Sequence, residues 1–134
     1  MKVKTDFVTN SSSTNFIVMS QGMPTLQTFI RAVGLSPESM FLDVFVHLFG
    51  CFKNDLNPGL RYARQYGFST IDEFVEKYFS KDTLDRVKEA EAKGYDIYIG
   101  ELSSENDAIE TLFCCDSFVI DSGKLVIDAT EDSW

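Results

Sequence analysis

The chain is short of the residues on which most recognisable chemistry is built. It has one histidine and three cysteines in 134 residues. No C-x-x-C pair and no H-x-x-x-H pair occurs, so the common zinc-ligand spacings are missing. The cysteines are Cys51, Cys114 and Cys115. An odd number with two adjacent makes a poor disulfide framework and is read as reduced thiols, which predicts a cytoplasmic protein. No apolar run is long enough to cross a bilayer. The most apolar window, residues 40–52, is interrupted by Asp43 and His47. The first residues contain Asp6 and an Asn/Ser run where a secretory signal would need an apolar stretch. Internal repeats and low-complexity tracts are absent.

Positive charge is also scarce. Twelve Lys and Arg stand against 21 Asp and Glu, a net charge of −9. Such a surface repels phosphate backbones and anionic membranes, which excludes both as partners, and suits a basic protein partner. The basic residues that exist are scattered. Arg61 and Arg64, with Tyr62 and Tyr66 beside them, offer a place for an anionic ligand, as they also suit a mixed surface helix.

What the chain has in quantity is phenylalanine, 12 copies, which predicts an aromatic core. Its length fits one domain of residues 1–134 with a sizeable core of its own. Residues 2–19 read as N-terminal strands around a Ser-rich loop. Lys2 to Val8 alternates like a half-buried strand. Thr9 to Asn15 is a polar loop, and Phe16 to Met19 is a continuous apolar run that suits a buried central strand. Residues 24–94 read as a helical layer. Leu26, Phe29, Ile30 and Val33 have helical spacing, with Gly34 as the stop. Ser36-Pro37-Glu38 is a helix start by composition, and it leads into a broad apolar arc from Met40 to Phe52 that predicts the most buried helix. Lys53 to Gly59 reads as a turn and Leu60 to Tyr66 as a short helix ending at Gly67. Thr70 and Glu73 form a capping box. Asp82 is the expected cap of a charged, peripheral helix that runs to Gly94.

Residues 95–128 read as strand, helix and hairpin. Tyr95, Ile97 and Ile99 alternate as a strand, Ser104 caps a helix, and Asp121-Ser122-Gly123-Lys124 is a tight turn between two strands. If the strand at Tyr95 runs parallel to the one at Ser117, a right-handed crossover joins them. Residues 129–134 read as an acidic tail, with Asp128 as its first loosely held residue. The expected fold is therefore α+β. N-terminal and C-terminal strands share one small mixed or antiparallel sheet, and the helical middle packs on one face of it.

No catalytic residue, cofactor site or metal site is assigned from these patterns. The candidate ligand or modification loop is Asn10, Ser11, Ser12, Ser13 and Thr14. It has hydroxyls and amides in abundance, but neither the glycines nor the lysine of a phosphate-binding loop. The second candidate is a pocket at Asp43, His47 and Cys51. His47 and Cys51 stand at i and i+4, the spacing of a metal pair or of a thiol with its base. The acids at Glu101, Glu105 and Asp107, and at Asp128, Glu131 and Asp132, do not have the spacing of a calcium-binding loop.

One string is specific. Thr5-Asp6-Phe7-Val8-Thr9-Asn10-Ser11-Ser12-Ser13, followed by Phe16-Ile17-Val18, resembles the N-terminal signature TDFVTNSSSSSFIV of a group of uncharacterised bacterial proteins. Thr14 and Asn15 stand where that signature has serines. The resemblance covers about fifteen residues. It implies a bacterial-type cytoplasmic protein and brings no activity with it. A shared start of this kind suits a structural opening to the fold, or a segment read by a common partner or processing enzyme.

The expected function is that of a soluble binding or protein-interaction module. The alternatives are a small hydrolase or transferase with a pocket near Asp43 and His47, and a substrate of a modifying enzyme acting on the Ser-rich loop. A protein partner is expected, its identity and the oligomeric state left open. An enzyme requires a concave site where His47 meets another polar group; an interaction module requires an exposed apolar patch or a strand edge.

Overall fold

The computed structural model describes residues 13–36, 38–54, 56–103 and 118–130. Along the chain the elements are β1 (Ser13–Ser20), α1 (Leu26–Val33), α2 (Leu42–Asn54), β2 (Asn57–Pro58), α3 (Gly59–Gln65), α4 (Ile71–Tyr78), α5 (Lys81–Ala92), β3 (Asp96–Ser103), β4 (Phe118–Asp121) and β5 (Leu125–Ala129). The strands form one sheet in the order β2-β3-β1-β5-β4. Every pairing in it is antiparallel. The expected strand at Lys2 to Val8 and the helix at Ser104 lie outside the described residues, as do Asn10, Ser11 and Ser12.

β1 is central because its sequence has no polar face to offer water. Phe16, Ile17, Val18 and Met19 are each at most 1% exposed. β3 flanks it on one side, with Ile17 opposite Ile99, and β5 on the other, with Val18 opposite Ile127. The ladder reaches further back than the polar composition predicts. Ser13, Thr14 and Asn15, expected in a loop, pair with Ser103, Leu102 and Glu101. The register set by Phe16 to Met19 carries these residues into the ladder, and Asn15 Oδ1 accepts a 2.9 Å hydrogen bond from the Tyr62 hydroxyl.

The α+β architecture is as expected, and the helical middle packs on the sheet. It divides between the two faces where the sequence placed it on one. Because side chains alternate along a strand, β1 feeds two cores. Phe16 and Val18 join α1 and α2 with Leu102, Leu125 and Ile127. Ile17 and Met19 join α3, α4 and α5 with Ile97 and Ile99. The aromatic expectation holds on both sides. Phe16 stacks on Phe52 at 4.6 Å between ring centroids, and Phe29 meets Phe49 at 5.3 Å and Phe52 at 5.9 Å. On the opposite face Phe74 is the hub, with Tyr62, Phe68 and Tyr78 within 5.8 Å.

Local signals fix most helix ends. Thr25 accepts from Thr28 N, and Gly34 closes α1 at a φ of 85°. Thr70 accepts from Glu73 N at 3.2 Å. Two starts differ from the sequence reading. α5 is capped by Ser80, which accepts from Thr83 N at 3.3 Å, so Asp82 sits in the first turn, where an acid favours the helix dipole. α2 begins at Leu42, not at the Ser36-Pro37-Glu38 signal. Ser39 N bonds Ser36 O and Leu42 N bonds Ser39 O, two successive turns ahead of the helix. Helices in proteins are held chiefly by packing of their apolar face. The buried residues of α2 are Leu48, Phe49, Cys51 and Phe52, all in its second half. Met40 and Phe41 find no core to enter and are 85% and 57% exposed.

β2 went unread in the sequence, being two residues inside a turn. It pairs Asn57 with Ile99, and α3 starts directly after it at Gly59. A Cβ at Gly59 would lie 3.0 Å from the Ile97 carbonyl oxygen and 3.1 Å from Ile71 Cδ1. The helix can approach β3 this closely only because that residue has no side chain. β3 and β4 run in opposite directions, so the conditional right-handed crossover between them does not apply.

The largest departure is Asp128. Expected at the head of a loose tail, it is completely buried on β5. Its Oδ2 accepts from Arg86 Nη1 at 2.9 Å and from the Thr83 hydroxyl at 2.8 Å. Its Oδ1 accepts from Thr130 N at 3.1 Å and from the Thr130 hydroxyl. A buried carboxylate is tolerable only when paired and hydrogen-bonded in this way. The helix expected to be peripheral thus places Thr83, Val87 and Ala90 against the sheet and supplies this ion pair. Among the described residues, no helix is long and apolar enough to cross a membrane.

Two stability measurements follow. Asp128→Ala should lower the unfolding free energy by about 1–3 kcal/mol, because the buried Thr83 hydroxyl loses its acceptor while Arg86, 37% exposed, can turn to water, with a smaller loss for Asp128→Asn; a change under about 1 kcal/mol in urea titration would show that the pair contributes little. Gly59→Ala should cost about 1–3 kcal/mol by overpacking α3 against β3, and a midpoint equal to that of the natural protein would contradict the close approach.

Candidate functional site

β4 ends the sheet among the described residues. Its four residues alternate. Phe118 and Ile120 turn toward α1 and α2 and pack against the core there, with the Phe118 ring 6.2 Å from that of Phe52. Val119 is 37% exposed. A tight turn holds the strand to β5: Asp121 Oδ1 accepts from Gly123 N at 2.8 Å, Ser122 N bonds Leu125 O at 3.0 Å, and Gly123 takes a φ of 83°. This is the hairpin expected at Asp121 to Lys124.

Between this edge and the helices lies a groove of about 330 Å³. Ala32 and Val33 of α1, Phe45 and Leu48 of α2, and Phe118 to Asp121 of β4 line it. The lining is apolar apart from Asp121 at one end. Among the described residues it holds no nucleophile and no base other than that carboxylate. Its chemistry is therefore the burial of apolar side chains beside a strand edge, with one negative charge to orient what enters.

The sequence candidates fall elsewhere. Asp43 and His47 are exposed on α2, whereas Cys51 is buried. Residues four apart on a helix are offset in rotation, and the arc of α2 that faces the sheet takes in Cys51 and leaves His47 outside. None of the three lines the groove. Ser13 and Thr14 have backbone positions in β1; the rest of the Ser-rich candidate lies outside the described residues. Tyr62 is 7% exposed and belongs to the core, whereas Arg61, Arg64 and Tyr66 are exposed. Among the described residues, no three of His, Cys, Asp and Glu are grouped so as to hold a metal ion.

Sequence reasoning missed one titratable pair. Asp72 stands in the first turn of α4 and Glu91 in the last turn of α5, and packing of the two helices brings them together. Glu91 is exposed at the surface, and partial desolvation of its carboxyl pushes it up from its ordinary 4.5 to about 7. A hydrogen bond to Asp72 and the charge of Asp72 act in the same direction, and Lys88 opposes them. Asp72 Oδ1 is buried with no fixed donor, so a proton on Glu91 gives the Asp72 carboxylate a partner. Their separation of 19 positions carries no local signal; only the docking of the two helices reveals the pair.

No protein-family model, curated protein or solved structure matches this chain.

The Glu91 shift has a definite sign. Its folded pKa lies above the unfolded one, so its contribution to stability is complete below about pH 4.5 and is lost as pH rises through about 7. Glu91→Gln should flatten the melting temperature against pH across that window; an unchanged slope in thermal unfolding at several pH values would show that Glu91 does not titrate there.

Proposed function

We propose that this protein is a binding module of the bacterial cytoplasm that receives an extended segment of a partner protein along β4. The observation behind this reading is the apolar groove against β4, the end strand of the sheet among the described residues. A segment lying antiparallel or parallel to β4 gains main-chain hydrogen bonds, and alternate apolar side chains enter the groove. The strand is short and carries one acid, Asp121, but other devices against such pairing are few among the described residues. Residues 118–121 include no proline and no lysine, and Val119 is the residue that faces outward. The net charge of −9 and Asp121 at the groove end favour a partner segment with a basic residue next to its apolar ones. The cytoplasmic assignment rests on the cysteine complement, and the bacterial one on the N-terminal signature.

Selection of short random peptides displayed on phage tests this directly. Recovered binders should carry apolar residues at alternate positions and at least one Lys or Arg. Val119→Lys on the strand and Val33→Arg on the helical wall should each weaken them by about tenfold or more while leaving thermal unfolding cooperative. Binders indifferent to both substitutions would overturn the reading.

A further inference from the structure

We infer that the outer face of α3 is a second docking surface, independent of the β4 groove, that takes an acidic segment of a partner protein. The first observation is one of composition. From residue 56 to residue 71 the chain carries Arg61 and Arg64 and no acidic residue. The chain as a whole holds 21 acids against 12 bases, so this stretch is a local reversal of sign.

The fold turns that stretch into a surface. Arg61 and Arg64 are three apart on α3, a spacing that places them side by side on one helix face. Both are exposed, and neither forms an ion pair or hydrogen bond with a described residue. They line an open trough together with Pro58, Leu60 and Gln65. Leu60 is 39% exposed and Tyr66 54% exposed beside them. Arginine and tyrosine exposed together, without lysine or glutamate between them, is the composition found at the centre of protein interfaces.

The surface is also fixed in place. Gly59 is wedged against Ile97, Ala63 is fully buried, and the Tyr62 hydroxyl is bonded to Asn15. The Tyr66 ring lies 5.0 Å from that of Tyr62. A helix pinned on its inner side presents its outer side chains with little ordering left to lose on binding.

Two guanidinium groups without a partner among the described residues call for carboxylates, which they can hold through paired N–H···O bonds. A nucleic acid is the less favoured polyanion. It would extend beyond the two arginines over a surface of net charge −9, and its affinity needs many cationic contacts. A short acidic segment engages the local charge alone, because screening confines these interactions to about 10 Å. α3 adjoins β2, and β2 and β4 stand at opposite ends of the described sheet. The two surfaces can therefore be occupied at once.

The test uses fluorescence anisotropy with a labelled peptide of alternating glutamate and leucine and the full chain. Binding is expected at low salt, with a loss of tenfold or more in high salt. The same loss is expected in the double variant Arg61→Glu/Arg64→Glu, and a smaller one in Arg61→Lys/Arg64→Lys. A glutamine-for-glutamate peptide should not bind. Val119→Lys should leave the acidic peptide bound, which separates this surface from the β4 groove. No binding by the acidic peptide, equal binding by the charge-reversed protein, or tighter binding of a single-stranded oligonucleotide at the same arginines would each overturn the inference. The substituted side chains are exposed, and an unchanged melting temperature verifies that the fold is intact.

Discussion

Burial of β1 on both faces is the constraint to which the remainder of the fold answers. A strand with Phe16 and Val18 on one side and Ile17 and Met19 on the other cannot leave either side to water. An antiparallel sheet commonly exposes one face; this one cannot, and the chain must provide helices for both. It does so in sequence order: α1 and α2 cover the first face, then the chain crosses at β2 and α3, α4 and α5 cover the second. The crossing is why so small a strand as β2 exists. It brings the chain to the far edge of the sheet, and Gly59 lets α3 begin within contact distance of β3. Each large side chain fully buried this way is worth about 1.5–3 kcal/mol, and losing one face would expose several at once.

The same two-sidedness accounts for the charge buried at Asp128. β5 pairs with β1, so its residues also alternate between two covered faces. Val126 and Asp128 fall on the side of α5, where the second core thins out toward the sheet edge. A carboxylate there is costly alone. With Arg86, Thr83 and Thr130 around it, it ties α5 to the strand next to β4. Breaking the pair would therefore be felt in the position of the β4–β5 hairpin as well as in stability. The groove is made of that hairpin and the opposite helices, so a rigid hairpin is what keeps its width defined.

Much of this was legible in the chain because it is written locally. The continuous run Phe16 to Met19 predicts a central strand. Gly34 predicts a helix stop, Thr70 and Glu73 a helix start, and Asp121 to Lys124 a hairpin turn. What escaped was decided between distant segments. Ser36-Pro37-Glu38 is a sound start signal, yet α2 begins later because the core lies beneath its second half. Asp128 looks like the head of an acidic tail until Arg86, 42 positions earlier, is placed beside it. The division of helices between two faces was implicit in β1, whose both sides are apolar, but composition does not say which helix goes where. Of the candidate sites, the Asp43, His47 and Cys51 grouping came from spacing on one helix, which fixes relative rotation and not the direction of the core. The groove at β4 joins residues 32–48 to residues 118–121 and has no signature in either segment.

The two ends of the sheet differ in a way that bears on partners. β2 is two residues long, and one of them is Pro58, which has no N–H to donate. An edge so short and so poor in donors cannot template another strand, and what it presents instead is the side chains of the adjoining α3. β4 has four residues with no proline, and a groove alongside into which alternate side chains can go. Recognition of the proposed segment at β4 would thus be backbone-led, with the apolar groove supplying selectivity. The proposed recognition at α3 would be led by side chains and by charge, so it should fall more steeply with salt than the proposed β4 interaction. The two proposed contacts would be separable, one at each end of the described sheet, without enlarging the sheet that β1 organises.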